Sequence, residues 1–152
     1  MARARERLVL DAAPIVNVLI DDTAAPQVIA ALAGQECVVS VVNAAEVLDV
    51  VTRVHGVPPE SAAESVDRFL DEVARPVPVT RALALTAATL RARHYHRKHR
   101  DVSLADCIAI ATALPDARVA TSDAGVAAVA RAEGLEVILL PDSHGSSSQP
   151  SS

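Results

Sequence analysis

Five short runs rich in Val, Ile and Leu, separated by longer stretches with helical spacing, constrain this chain more than any other feature of it. The runs cover 8–10, 37–40, 76–79, 119–121 and 136–140. Between them, 28–32 reads as a short helix stopped by Gly34, and Asn43 opens a helix that Gly56 and the Pro58-Pro59 pair terminate. Ala62, Val66, Phe69, Leu70 and Val73 recur at helical spacing through 59–74. Further helices are expected over 81–97, 104–114 and 124–133, the last stopped by Gly134. Strand–helix alternation of this kind predicts an α/β fold: a three-layer α/β/α sandwich around a mainly parallel, roughly five-stranded sheet. Pro76 and Pro78 place the third strand at a sheet edge, where a missing N–H does least harm.

The 152 residues suffice for one domain with a substantial core. That core is short of rings: with no Trp, one Phe and one Tyr, it must be packed from Ala, Val, Leu and Ile. Small side chains suit helices lying close on a Val-rich sheet. The domain is expected over 1–142, and the Ser-rich segment 143–152, with nothing to bury, as a disordered polar tail. Cys37 and Cys107 form no CxxC pair and lie inside apolar runs, as buried thiols of a cytoplasmic protein do. No apolar run approaches the roughly 18 residues that span a bilayer.

Four acids sit where such a sheet gathers its strand ends. Asp11 ends the first strand, Glu46 lies one turn into the helix after the second, Asp106 is in the first turn of the helix opened by Ser103, and Asp123 follows the fourth strand. Ligands of open parallel sheets bind in the crevice at the carboxyl ends of the strands, so acids distant in sequence can meet there. Each has a local explanation as well. Asn43 with Glu46 and Ser103 with Asp106 have capping-box spacing, and Asp123 can cap its own helix. Capping leaves the clustering unexplained. Carboxylates packed together repel unless a cation neutralises them, and hard ions such as Mg²⁺ or Mn²⁺ take oxygen ligands and phosphate. The set fits hydrolysis of a phosphodiester, since such an ion acidifies water and neutralises phosphoryl oxygen.

Leu-Asp-Ala after the first strand, Val-Val-Asn-Ala-Ala-Glu-Val, Val-Ser-Leu-Ala-Asp-Cys and Ala-Thr-Ser-Asp resemble, in order and spacing, the motifs of PIN-domain ribonucleases. The resemblance runs from about Leu8 to Leu140, and the nearest group is the VapC toxins of bacterial toxin–antitoxin pairs. It implies a metal-dependent endoribonuclease, with Mg²⁺ or Mn²⁺ as cofactor and 3′-hydroxyl and 5′-phosphate ends as products. By position it makes Asp11, Glu46, Asp106 and Asp123 the catalytic and metal-binding quartet, with Ser103 and Thr121 in support. It also implies a VapB-type antitoxin as partner. Apolar helix faces, such as the one carrying Phe69, could serve that partner, a homodimer or the core. One position departs: the family often has Ser or Thr two residues after the first acid, and here it is Ala13.

The net charge of −5 argues mildly against a nucleic-acid partner, but the cations are unevenly spread. Arg91, Arg93, Arg97, Lys98 and Arg100 are five of the 14 Lys and Arg, interleaved with His94, Tyr95, His96 and His99, and they lead into the Asp106 motif. They form a candidate RNA-binding rim, in which Tyr95 could stack a base. The alternative is a solvated helix end whose cations complement the dipole. Arg3, Arg5 and Arg7 make a second, terminal cluster. A phospho-acceptor receiver and an Asp-x-Asp phosphatase both want a second acid near Asp11, where Ala12 and Ala13 stand. A catalytically silent PIN-like interaction protein is the remaining alternative.

Overall fold

The structure, a computed structural model, describes residues 7–142. Arg3, Arg5 and the segment 143–152 lie outside the described residues. In chain order the elements are β1 (Arg7–Leu10), α1 (Ala12–Leu19), α2 (Ala25–Leu32), β2 (Glu36–Ser40), α3 (Val41–Arg53), α4 (Pro59–Glu72), β3 (Ala74–Val77), α5 (Arg81–His94), α6 (Leu104–Ala113), β4 (Arg118–Thr121), α7 (Ala124–Ala132) and β5 (Val137–Leu139). The strands form one sheet in the order β3-β2-β1-β4-β5, and every neighbouring pair is parallel. Among the described residues no helix is long and apolar enough to cross a membrane.

Strand periodicity splits the core in two. Leu8, Leu10, Cys37, Val39 and Ala120 point to one face, where α1 to α4 cover them with Ile15, Val28, Val47, Val51, Val66 and Phe69. Val9, Val38 and Val119 point to the other face, under α5, α6 and α7. Successive side chains leave a strand on opposite sides, so each strand feeds both cores. The helix most deeply embedded is α6, whose Cys107 to Ala111 are all buried. Both cysteines are buried and free. Phe69 is only 5% exposed, so the helix face it occupies is largely committed to the core.

Several local expectations shift. The stretch 12–19, which has no clear sequence pattern, is α1. Asp11 caps it, and Pro14 is tolerated in its first turn, where a backbone N–H has no helical partner. The α3 helix is opened by Ser40, not Asn43: the Ser40 hydroxyl accepts from the Asn43 N–H at 3.0 Å. The edge strand β3 starts two residues earlier than the prolines suggest, with Pro76 paired in register to Val39. Helix α5 ends at His94, three residues short of the expected 97, where the Tyr95 backbone turns extended.

Ile110 has no exposure and lies in the middle of α6. Ile110→Ala is expected to cost about 2–5 kcal/mol of unfolding free energy in urea denaturation. Ile29→Ala, at a position 54% exposed, should change it by less than about 0.5 kcal/mol.

Candidate active site

The chain winds outward from β1 through β2 to β3, then returns to place β4 on the other side of β1. The strand order therefore reverses between β1 and β4, which is where a crevice opens at the strand ends of such sheets. Asp11 and Asp123 follow those two strands. Their backbones are tied by the ladder, with the Asp11 N–H donating to the Ala120 carbonyl at 3.0 Å.

Asp11 is 4% exposed. As the cap of α1 it accepts at Oδ1 from the Ala12 N–H (2.9 Å), and at Oδ2 from the Thr121 hydroxyl (2.8 Å). Burial raises its pKa from 3.8 to about 7. The Asp106 charge adds to the rise, the Thr121 and Ala12 hydrogen bonds oppose it, and Glu46 adds a smaller push. Thr121, fully buried, also accepts from the Asp123 N–H at 3.0 Å. One hydroxyl thus links the first and last acids.

Asp123 caps α7 through Oδ1, which accepts from the Gly125 and Val126 N–H groups at 2.7 and 3.0 Å. A Cβ at position 125 would stand 3.0 Å from that oxygen, so glycine there keeps the cap tight. Asp106 is held by the full capping box expected from Ser103: the Ser103 N–H donates to Oδ2 (2.9 Å) and the Asp106 N–H to the Ser103 hydroxyl (3.0 Å). Its pKa is raised, first by burial, against the Ser103 bonds, with Asp123 and Asp101 contributing repulsion.

Glu46 is half-buried on α3, and burial followed by the Asp106 charge raises its pKa. Its neighbour Asn43 was expected to cap the helix and does something else. Fully buried, Asn43 receives the Ser40 hydroxyl at Oδ1 (2.5 Å), and its Nδ2 donates to the Ala105 carbonyl (3.1 Å) and more loosely to Glu46 Oε2 (3.5 Å). It clamps α3 to the first turn of α6 and so sets Glu46 against Asp106. The spacing of an amide one turn before Glu46 is visible in the sequence; the partner 62 residues away is not. Asp101, exposed in the loop before α6, is a second omission: its charge reaches Asp106.

Electrostatically Asp106 is the hub, coupled to Asp11, Glu46 and Asp123. The donor set is all hard oxygen, carboxylates backed by hydroxyls, which is the chemistry of Mg²⁺ or Mn²⁺ sites and not of thiolate–imidazole sites. Burial first, and then mutual repulsion, raise the pKa values of Asp11, Glu46 and Asp106, and a divalent ion would favour their charged forms against both. Among the described residues, no three Asp, Glu, His or Cys side chains stand close enough to share one ion as they are placed.

The cationic stretch divides. Arg93 and His94 both meet Glu133 of the α7 cap at 2.6 Å, tying the end of α5 to α7. Arg97 and Lys98 are exposed in a tight turn closed by a His96–Arg100 bridge, with the His96 and His99 rings stacked at 4.6 Å. Arg91 stays beside α6: its Nε donates to the Val102 carbonyl at 3.1 Å.

A five-stranded parallel sheet under two helical layers, with acids gathered at its switch point, defines an α/β domain of the PIN type. The PIN domain family matches residues 8–144, and the chain belongs to that family. Among solved structures it resembles a chain of VapBC2 from Rickettsia felis, determined bound to a DNA fragment from their promoter. The TM-score is 0.66 at 15% identity, over 88% of this chain and 98% of that one. No curated protein matches the sequence.

The raised pKa of Asp11 has a stability consequence with a definite sign. Between pH 3.8 and about 7 the folded state keeps a proton there that the unfolded state has lost, so the carboxyl destabilises the metal-free fold progressively as pH rises. Asp11→Asn should therefore raise the unfolding free energy of the metal-free protein at pH 8 by on the order of a few kcal/mol, seen as a higher melting temperature in EDTA, and have little effect near pH 4. An unchanged or lowered melting temperature at pH 8 would contradict this.

Proposed function

We propose that this PIN domain is the toxin of a VapBC-type toxin–antitoxin pair and hydrolyses RNA internally with Mg²⁺ or Mn²⁺. The observation that carries the reading is Asp11: a carboxylate buried at the end of the central strand, in electrostatic contact with Asp106 and Glu46. A purely structural acid has no reason to be buried with two like charges near it. Asp11, Glu46, Asp106 and Asp123 would hold the ion, which supplies positive charge against the carboxylates and the phosphoryl oxygen and acidifies a water.

The chain's own contribution is positional. Thr121 fixes the Asp11 carboxyl and the Asp123 backbone, Ser103 fixes Asp106, and Asn43 fixes Glu46. Glu46, with raised proton affinity, is the group assigned to take the proton from the attacking water at its carboxylate. The water oxygen bonds to phosphorus as the bond from phosphorus to the 3′ oxygen breaks, and the departing 3′ oxygen takes a proton from solvent, leaving 3′-hydroxyl and 5′-phosphate ends. Ala13, exposed in the first turn of α1, brings no hydroxyl to this set, so ligand positioning falls to Thr121 and Ser103. A VapB-type antitoxin is the partner this reading requires, and the likeness to the VapBC2 chain supports it.

Incubation of RNA with the protein and Mg²⁺ or Mn²⁺ should give internal cleavage that EDTA abolishes. Asp106→Asn is expected to lower the rate at least about 10²-fold, in keeping with loss of a group that stabilises developing charge. Equal cleavage by both proteins would sink the reading. Growth arrest on expression, relieved by the same substitution, tests the toxin role separately.

A further inference from the structure

One surface pocket borders the helix that carries Asp106 and is lined by none of the four acids. It lies where α5 ends and α6 begins, has a volume of about 410 Å³, and is lined by Ala88, Arg91, Ala92, Tyr95 and Leu104. Leu104 is the first residue of α6, and Asp106 follows two residues later. The opposite wall is one face of α5, with Ala88 and Ala92 one turn apart and Arg91 and Tyr95 one turn apart. The two alanines make the space: a larger side chain at either position would fill it.

The polar end of the pocket is fixed in advance. The Tyr95 N–H donates to the Arg91 carbonyl at 2.8 Å as α5 terminates. The Arg91 guanidinium lies 4.6 Å from the centre of the Tyr95 ring, and its Nε is spent on the Val102 carbonyl. Its two terminal amino groups remain as donors. This chain has two aromatic residues of the Phe, Tyr and Trp class, and Phe69 is buried, so Tyr95, 40% exposed, presents the one such ring at the surface. Beside it Leu104 is 49% exposed. An exposed ring, an exposed leucine and a pre-oriented planar cation, two residues from an acid of the site, ask for a flat ligand bearing negative charge.

We infer that this pocket is a nucleobase subsite, in which one base of single-stranded RNA stacks against Tyr95 and Leu104 while Arg91 holds an adjoining phosphate. The inference rests on the ribonuclease reading of the neighbouring acids. It supplies what that acidic centre lacks, a means of retaining a polyanion beside four carboxylates. Stacking tolerates any base, because each offers a π-face, so the subsite fixes the strand's path more than its sequence.

The test uses the full chain carrying Asp106→Asn, in which cleavage is expected to be at least about 10²-fold slower, in Mg²⁺ buffer. The probe is a single-stranded RNA oligomer with 2-aminopurine placed at each position in turn. One position should lose fluorescence on binding to the Tyr95 and Tyr95→Phe proteins. Tyr95→Ala should restore that fluorescence and weaken binding about five-fold or more. Ala92→Leu, an exposed substitution that fills the pocket and leaves Tyr95 in place, should do the same. Unchanged affinity and quenching in both variants would overturn the subsite. Cleavage by the chain with Asp106 intact separates the two failures. If it cuts RNA and the pocket variants bind normally, the subsite is wrong and the nuclease stands. If it neither binds nor cuts, both fall.

Discussion

The hydrogen bond from Thr121 to Asp11 joins the ends of the two parallel strands between which the strand order reverses, and the rest of the site is arranged around it. A carboxylate with 4% exposure in an aliphatic core is costly, and its pKa of about 7 records the cost. The fold tolerates it because both oxygens have donors and because the same acid starts α1. The tension left over is useful. A carboxyl on the edge of ionisation, with like charges nearby, is unfavourable alone and favourable beside a cation.

Capping serves the other acids in the same double way. Asp106 and Asp123 each commit one oxygen to a helix N-terminus, which fixes the side chain and leaves its second oxygen for other work. Helix N-termini favour negative charge, so this placement partly relieves the repulsion that the cluster creates. Asn43 completes the frame from the other side. Its contact with Ala105 binds the helix bearing Glu46 to the helix bearing Asp106, so that neither can drift without breaking a partly buried hydrogen bond.

Much of this was legible in residue order. Ser103 three residues before Asp106 is a capping box in the sequence and a capping box in the structure. Asp123 before Ala-Gly-Val caps the helix as its position implies. The cationic stretch was legible as charge but not as function. Arg93 sits in the same run as Arg91, yet Glu133, forty residues away, takes its charge, while Arg91 is laid across Tyr95. Asn43 misled for a similar reason. Its residue type suits a helix cap, and Ser40 three residues earlier occupies that role.

The sequence by itself determined the layers and the acids. Short apolar runs alternating with helical spacing imply a mainly parallel sheet of roughly five strands, and the same spacing puts Asp11, Glu46, Asp106 and Asp123 at strand ends or helix starts. Tertiary structure decided which of those groups interact. That Thr121 serves Asp11 across 110 residues, that Asn43 reaches α6, and that Tyr95 faces Leu104 across a pocket depend on how β1 meets β4 and α5 meets α6. Those meetings are set by core packing summed over many small aliphatic side chains, a sum that no single stretch of the chain contains.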